Sequence, residues 1–309
     1  MKTIQKLTLG LLAVVFVASW NTTFASNIFL DVESGSATHS GVITGTAQKI
    51  GAGTIVMSGA NGSSLTSLEI DAGLVQFAST GNAGAQVKFG SDVPGGTTGN
   101  LEVLAAAVDT NSDGINDTVV ANSVSLPVHV MVLSAQLKVG YGLTASLSSL
   151  TDTLTAAQRS AGARRTLTVA AQTAAEVAAS GLSVGSAQPG VVLVAANMSA
   201  STTRLAVNSD ATVQVGGAGA SKLTSALHTI NGTLELLTGA STGCVPGQTV
   251  IQSGGVLKVA ASITVPQYNS TTDLFGTGTS DTLQFLSGSK LVLGAGSTWA
   301  RNMAIGTAS

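Results

Sequence analysis

Residues 107–120, AVDTNSDGINDTVV, gather three aspartates and two asparagines into a chain with only 9% charged residues. Asp109, Asn111, Asp113, Gly114, Ile115 and Asp117 fall at positions 1, 3, 5, 6, 7 and 9 of a D-x-[DN]-x-[DN]-G-x-x-D loop. Side-chain oxygens at alternate positions turn toward one centre, a glycine permits the sharp bend, and the residue after it offers its carbonyl, as hard cations such as calcium require. Position 12, where a bidentate glutamate would stand, is Val120. The missing oxygens place the expected calcium affinity at about 0.1 to 1 mM. The same residues also suit an Asx-rich turn closing a hairpin between LEVLAAAV and TVVANSVSL. The two readings are compatible.

Other residue sets carry less chemistry. GLSVG (181–185) has the form G-x-S-x-G, with Asp210 and His228 following in hydrolase order. A nucleophile elbow needs a strand before its serine and a helix after it. Here the preceding stretch is Ala-rich and the following one reads as extended, so no nucleophile is expected. His39, His129 and His228 share no metal-ligand spacing. No pair of carboxylates stands out for glycoside chemistry, and aromatic residues that would stack on sugars make up only 4% of the chain. A carbohydrate-active enzyme is the minority reading.

The elements that position these residues follow from composition. The chain has 309 residues, 37 of them Gly and 5 Pro, and a formal net charge of −2. Small and β-branched residues suit closely stacked strands joined by Gly-rich turns. A basic footprint for nucleic acid is absent from the sequence. MKTIQK followed by LTLGLLAVVFVASW and NTTFA reads as a secretory signal with cleavage after Ala25. The apolar core is short for a span of about 20 residues, so no membrane span is expected after its removal. Cys244 is the single cysteine, so stability must come from burial and backbone pairing rather than a disulfide.

A short pattern recurs: an apolar strand, a Gly-containing turn, and a second strand with alternating apolar residues. It appears as LEIDAGLVQF (68–77), LHTINGTLELL (227–237), TVIQSGGVLKV (249–259) and LQFLSGSKLVL (283–293), and more loosely as LAVNSDATVQV (205–215). Val75 and Phe77, Leu234 and Leu236, Leu257 and Val259, and Leu291 and Leu293 are expected to point inward. Gln76, Glu235, Lys258 and Val292 are expected to point outward. Short strands at near-regular spacing allow a sandwich or a solenoid, and a turn built into the repeat favours the solenoid. At an assumed 20 to 25 residues per coil, on the order of 12 coils are expected. The Ala-rich stretch 149–180 is read as a helical cap, an insertion or a linker, with a short helix capped by Thr151 or Asp152 and ended or weakened at Gly162. Its Arg164–Arg165 pair is read as a solvated helix face.

Residues 47–78, AQKIGAGTIVMSGANGSSLTSLEIDAGLVQFA, resemble the autotransporter-associated β-strand repeat of bacterial passenger domains. Lys49, Gly51, Gly53, Thr54, Ile55, Met57, Ser58, Gly59 and Asn61 match the first half of the K-x-G-x-G-T-L-x-L-S-G-x-N form. Ile70, Gly73, Leu74 and Val75 match the second, which recurs at 227–237 and 249–259. The resemblance implies a right-handed parallel β-helix displayed at or beyond a bacterial outer membrane. STWARNMAIGTAS (297–309) lacks a barrel-type pattern and terminal aromatic, so the expectation is either a stand-alone secreted relative or export and anchoring by another, outer-membrane protein. The expected organisation is a signal at 1–25, a β-solenoid with the calcium loop at 26–148, an Ala-rich insertion or linker at 149–190, and a second β-solenoid at 191–309. β-Sandwich domains are the alternative. The expected role is attachment to a host or neighbouring-cell surface through a rigid rod, or self-association in a calcium-dependent layer or filament.

Overall fold

A computed structural model describes residues 28–58, 65–77, 86–91, 96–194, 203–216, 228–238, 249–265, 283–299 and 303–306. Residues 1–25, the expected signal, together with Cys244, Gly59 and Asn61, lie outside them.

The strands pair into two parallel eleven-stranded sheets, and successive strands alternate between them. One strand of each sheet makes a coil. β1 (Ile28–Asp31) and β2 (Ser36–His39) form the first, β3 (Gly45–Ile50) and β4 (Thr54–Met57) the second. β5 (Leu65–Ile70) with β6 (Leu74–Phe77), then β7 (Val87–Phe89) with β8 (Asn100–Val103), form the next two. An antiparallel excursion, β9 (Ala106–Val108) and β10 (Thr118–Val120), interrupts the stack. It resumes with β11 (Asn122–Met131) and β12 (Ala135–Val139), then β13 (Leu143–Asp152) and β14 (Thr166–Ala171). The remaining coils are β15 (Val191–Val194) with β16 (Arg204–Val207), and β17 (Thr212–Val215) with β18 (Thr229–Ile230). They are followed by β19 (Thr233–Leu236) with β20 (Val250–Ile251), and β21 (Val256–Val259) with β23 (Leu283–Leu286). The last coil is β24 (Lys290–Leu293) with β26 (Met303–Gly306), while β22 (Thr264–Val265) and β25 (Thr298–Trp299) pair separately.

This is a two-sheet parallel β-solenoid of eleven coils, close to the dozen expected. At about 4.8 Å between strands the stack is about 48 Å long. The coil step is near 21 residues where loops are short, as from Val194 to Val215 and on to Leu236.

Alternation decides what is inside. Val75, Phe77, Leu234, Leu236, Leu257 and Val259 are buried as expected, and stack in columns with their counterparts in neighbouring coils. Leu293 differs: it lies on the last strand of its sheet, has a partner on one side only, and remains 45% exposed. The same strand–turn–strand motif serves both corners. At 68–77 it crosses from the first sheet to the second, whereas at 227–237, 249–259 and 283–293 it crosses back.

In the first sheet the two ten-residue strands join two laterally offset runs of strands. β7 pairs with the C-terminal end of β11, Val87 opposite His129. β15 pairs instead with the N-terminal part of β13, Thr144 to Leu147 opposite Val191 to Val194. Between them β11 and β13 pair over nearly their whole lengths. The region 149–190 therefore contains the end of β13, all of β14 and two short helices. α1 (Ala156–Ser160) is capped by Thr155, not by Thr151 or Asp152. Those two remain in β13, paired with Val130 and Met131, and the Asp152 carboxylate holds Arg159 at 3.0 Å. α2 (Ala174–Ala179) opens on a capping box, Thr173 with Glu176, whose T-x-x-E signature is legible in the sequence.

Corners demand glycine where backbones approach. At Gly73, φ is +68° and an added Cβ would lie 2.3 Å from the Gly53 carbonyl oxygen on the preceding coil. At Gly114, φ is +89° but nothing lies within 4 Å. Gly73→Ala is expected to lower stability by about 3 kcal/mol or more, since it adds a backbone clash to left-handed strain. Gly114→Ala carries the strain alone and should cost about 1 kcal/mol. Chemical denaturation of the two variants checks the difference.

Candidate functional site

The acidic loop predicted from sequence is the tip of the β9–β10 hairpin, with Val108 paired to Thr118 and Ala106 to Val120. Its polar side chains shape the turn. Asp109 accepts from the backbone N–H groups of Ser112 (2.6 Å) and Gly114 (2.7 Å). Asn111 accepts from Asp113 N–H, and Asp113 from Ile115 N–H. Asp117 latches the base, receiving the hydroxyls of Thr110 (2.6 Å) and Thr118 (2.8 Å), and these bonds hold its carboxyl below the usual range. Asn111, Asp113 and Ile115 are exposed, and Asp109 and Asp117 are half-buried. Among the described residues no group of three or more His, Cys, Asp or Glu side chains is disposed to hold a metal ion. The Asx-rich turn therefore accounts for the polar cluster in this conformation.

The hairpin does not stand alone. Val119, Tyr141, Val177 and Ala187 make a small second core beside the main one. Ser183 of the GLSVG segment bridges to Thr118 there, its backbone bonded to Asp117 and Val119. His228 lies elsewhere, buried in the solenoid, where its Nδ1 accepts the Leu205 N–H at 2.9 Å. Ser183 and His228 thus serve separate cores. His39 is on β2, and His129 is buried with its ring centroid 5.5 Å from that of Phe89.

The outward faces carry three ladders in the same order along the axis. Gln48, Glu69 and Lys88 stack in register on the first sheet, as do Gln214, Glu235 and Lys258 further along. Gln76, Glu102 and Lys138 stack on the second. Gln76 donates to Glu102 at 2.6 Å, and Lys138 reaches Glu102 at 3.7 Å and Glu176 of α2 at 2.5 Å. Burial alone would raise the Glu235 pKa, yet hydrogen bonds from Lys258 and Gln214 bring it below the usual value. Around Glu102 and Lys138, with Asn100 and Gln136, lies a shallow groove of about 460 Å³. Glu102 is the one carboxylate in its lining, already held by Gln76 and Lys138. The groove presents polar groups, and a second carboxylate beside it, that of Glu176, is paired with Lys138.

Lys49, noted in sequence only as a repeat position, is fully buried. It stands between Leu30 and Ile70 in an inward column. Its ammonium reaches the corner, donating to the carbonyls of Ile50 and Gly51 at 2.6 Å and of Ala72 on the next coil at 3.4 Å. It clips two coils together. Desolvation lowers its pKa, opposed by the negative charge of Asp31. The repeat's lysine could not be read as interior from sequence, because lysine is almost never fully buried unless its charge is satisfied.

No protein-family model matches the chain, and neither a curated protein nor a solved structure matches it. Among the described residues no helix is long and apolar enough to cross a membrane.

Lys49→Met would leave the corner carbonyls of Ile50, Gly51 and Ala72 without their donor, and should destabilise by about 1 to 3 kcal/mol. The folded pKa lies below the unfolded value of 10.5. The unfolded chain therefore binds more protons between the two, and this residue's contribution improves as pH rises through that window. Urea titrations from pH 8 to 11 should show the destabilisation widening toward alkaline pH and levelling off above the unfolded value.

Proposed function

We propose that the protein is an exported structural or adhesive surface protein of the autotransporter-passenger type, acting as a stiff β-rod whose exposed turns engage a cell surface or another copy. The single observation that carries this reading is the pair of continuous eleven-stranded parallel sheets around one apolar core. Such a stack resists local opening because each interior strand is bonded on both sides. The signal-like segment and the repeat resemblance supply the export and outer-membrane context. Electron microscopy and limited proteolysis of the protein lacking residues 1–25 test it, with adhesion of coated beads to cells as the functional assay. Rods that survive protease and confer attachment are expected; a globule without attachment overturns the reading.

Self-association has its own support. On β24, the last strand of the first sheet, Val292 and Leu293 are 44% and 45% exposed. An unpaired parallel edge with apolar side chains is a template for another chain. Light scattering should show concentration-dependent association in the parent protein. Leu293→Lys should abolish it with little change in melting temperature.

Calcium uptake by the hairpin, through Asp109, Asn111, Asp113, the Ile115 carbonyl and Asp117, is a second part of the proposal. It is supported by the exposure of Asn111, Asp113 and Ile115 and by the alternating spacing of all five residues on a turn already bent at Gly114. Millimolar calcium should raise the melting temperature over that in chelator, and Asp113→Ala should remove the difference. Equal melting curves in calcium and chelator would exclude the site.

A further inference from the structure

The second sheet narrows in its C-terminal half. β4, β6 and β8 pair over four residues at each step, whereas β18 and β20 are two residues long and pair over two. Fewer backbone bonds hold the coils together there. The registers Ala206–Thr229 and Thr229–Val250 place His228, the residue just before β18, between Leu205 and Thr249 in an inward column. All three are buried, His228 to 2% exposure.

His228 ties this narrow part together. Its Nδ1 accepts the Leu205 N–H at 2.9 Å, and its own carbonyl accepts the Val250 N–H at 2.9 Å. The residue thus reaches the preceding coil through its side chain and the following coil through its main chain. The imidazole does the work of a strand carbonyl, adding a bond to the two-residue β16–β18 pairing.

This role fixes the state of the ring. Only a ring nitrogen without a proton accepts, so Nδ1 is bare and the proton of the neutral ring is on Nε2. An imidazolium donates from both nitrogens. Protonation would therefore set Nδ1–H against the Leu205 N–H and bury a charge without compensation. Nothing around it offsets that charge. β16 carries Arg204 next to Leu205, and Arg165, just before β14, accepts the Arg204 N–H through its carbonyl. Asp210 is in the turn at the opposite end of β16. β18, β20, β23 and, in the first sheet, β15 and β17 carry no ionisable side chain. Glu235 of β19 and Lys258 of β21 pair with each other at 2.7 Å on the outward face. Among the described residues, the strands packed about His228 turn no carboxylate toward it.

We infer that His228 is an acid-sensitive joint in the solenoid: neutral, its imidazole closes the step between β16 and β18, and protonation opens that step and loosens the coils from β18 onward. The joint is a property of the stack and stands whether or not the protein is adhesive.

Hydrogen exchange of the full-length chain, read as the protection factor of the Leu205 amide from pH 8 to 5, tests it. The open form takes up the extra proton, at an ordinary histidine value of about 6.5, so closure is favoured above that pH and lost as pH falls. Protection in the parent should drop roughly twenty-fold between pH 7 and 5. In His228→Asn a side-chain oxygen accepts without titrating, and protection should stay level. His39→Gln should follow the parent. Level protection in the parent, or an equal drop in His228→Asn, overturns the joint. If His228→Asn does not fold, the nitrogen-15 spectrum of the parent's imidazoles decides. A bare Nδ1 at pH 7 that gains its proton as Leu205 protection is lost is expected, and a protonated Nδ1 at pH 7 overturns the assignment.

Discussion

Everything in this molecule is subject to in-register parallel stacking. Each residue of an interior strand sits about 4.8 Å from its counterpart on the next coil, so any choice made once is imposed on its neighbours. Apolar residues gain, because each one stacked on another extends a buried column, as in Val194, Val215, Leu236 and Val259. Charged residues lose, because two like charges at that spacing repel. The low charge of the chain is a consequence of this geometry. Three ladders on the sheets follow the order Gln, Glu, Lys, so that each of their ionised groups has an opposite or neutral partner above and below it. These ladders are partly screened by water and individually contribute little. Their value lies in avoiding a mismatch.

The departures from simple stacking are where the structure becomes particular. Lys49 occupies an inward position and would be ruinous there, except that its ammonium extends to the corner and satisfies carbonyls of two coils. The ten-residue β11 and β13 let the stack step sideways without losing backbone pairing. The β9–β10 hairpin and α2 leave the coil path, and they need their own small core around Val119, Tyr141 and Val177 to be held in place. The arginine corner is a third departure. Asp152 holds Arg159 and backbone carbonyls hold Arg164, while the Nε–H groups of Arg159, Arg164, Arg165 and Arg204 lack an acceptor among the described residues.

By itself the sequence determined the all-β class and favoured a solenoid over a sandwich, because a turn built into a repeat of short strands lets each apolar stripe be buried by stacking. It also determined the inward and outward faces of Val75 to Phe77 and Leu234 to Leu236, which depend on a period of two, and the hairpin at Asp109 to Asp117, which depends on local Asx bonding. Tertiary structure alone decided which corner each motif turns, that Thr155 and not Asp152 caps the helix, and that Leu293 lacks cover. It alone brought Arg204 beside Arg165 and Glu176 onto Lys138. Each of these depends on which coils become neighbours. Loops of unequal length set that adjacency, and a local pattern has no means of encoding it.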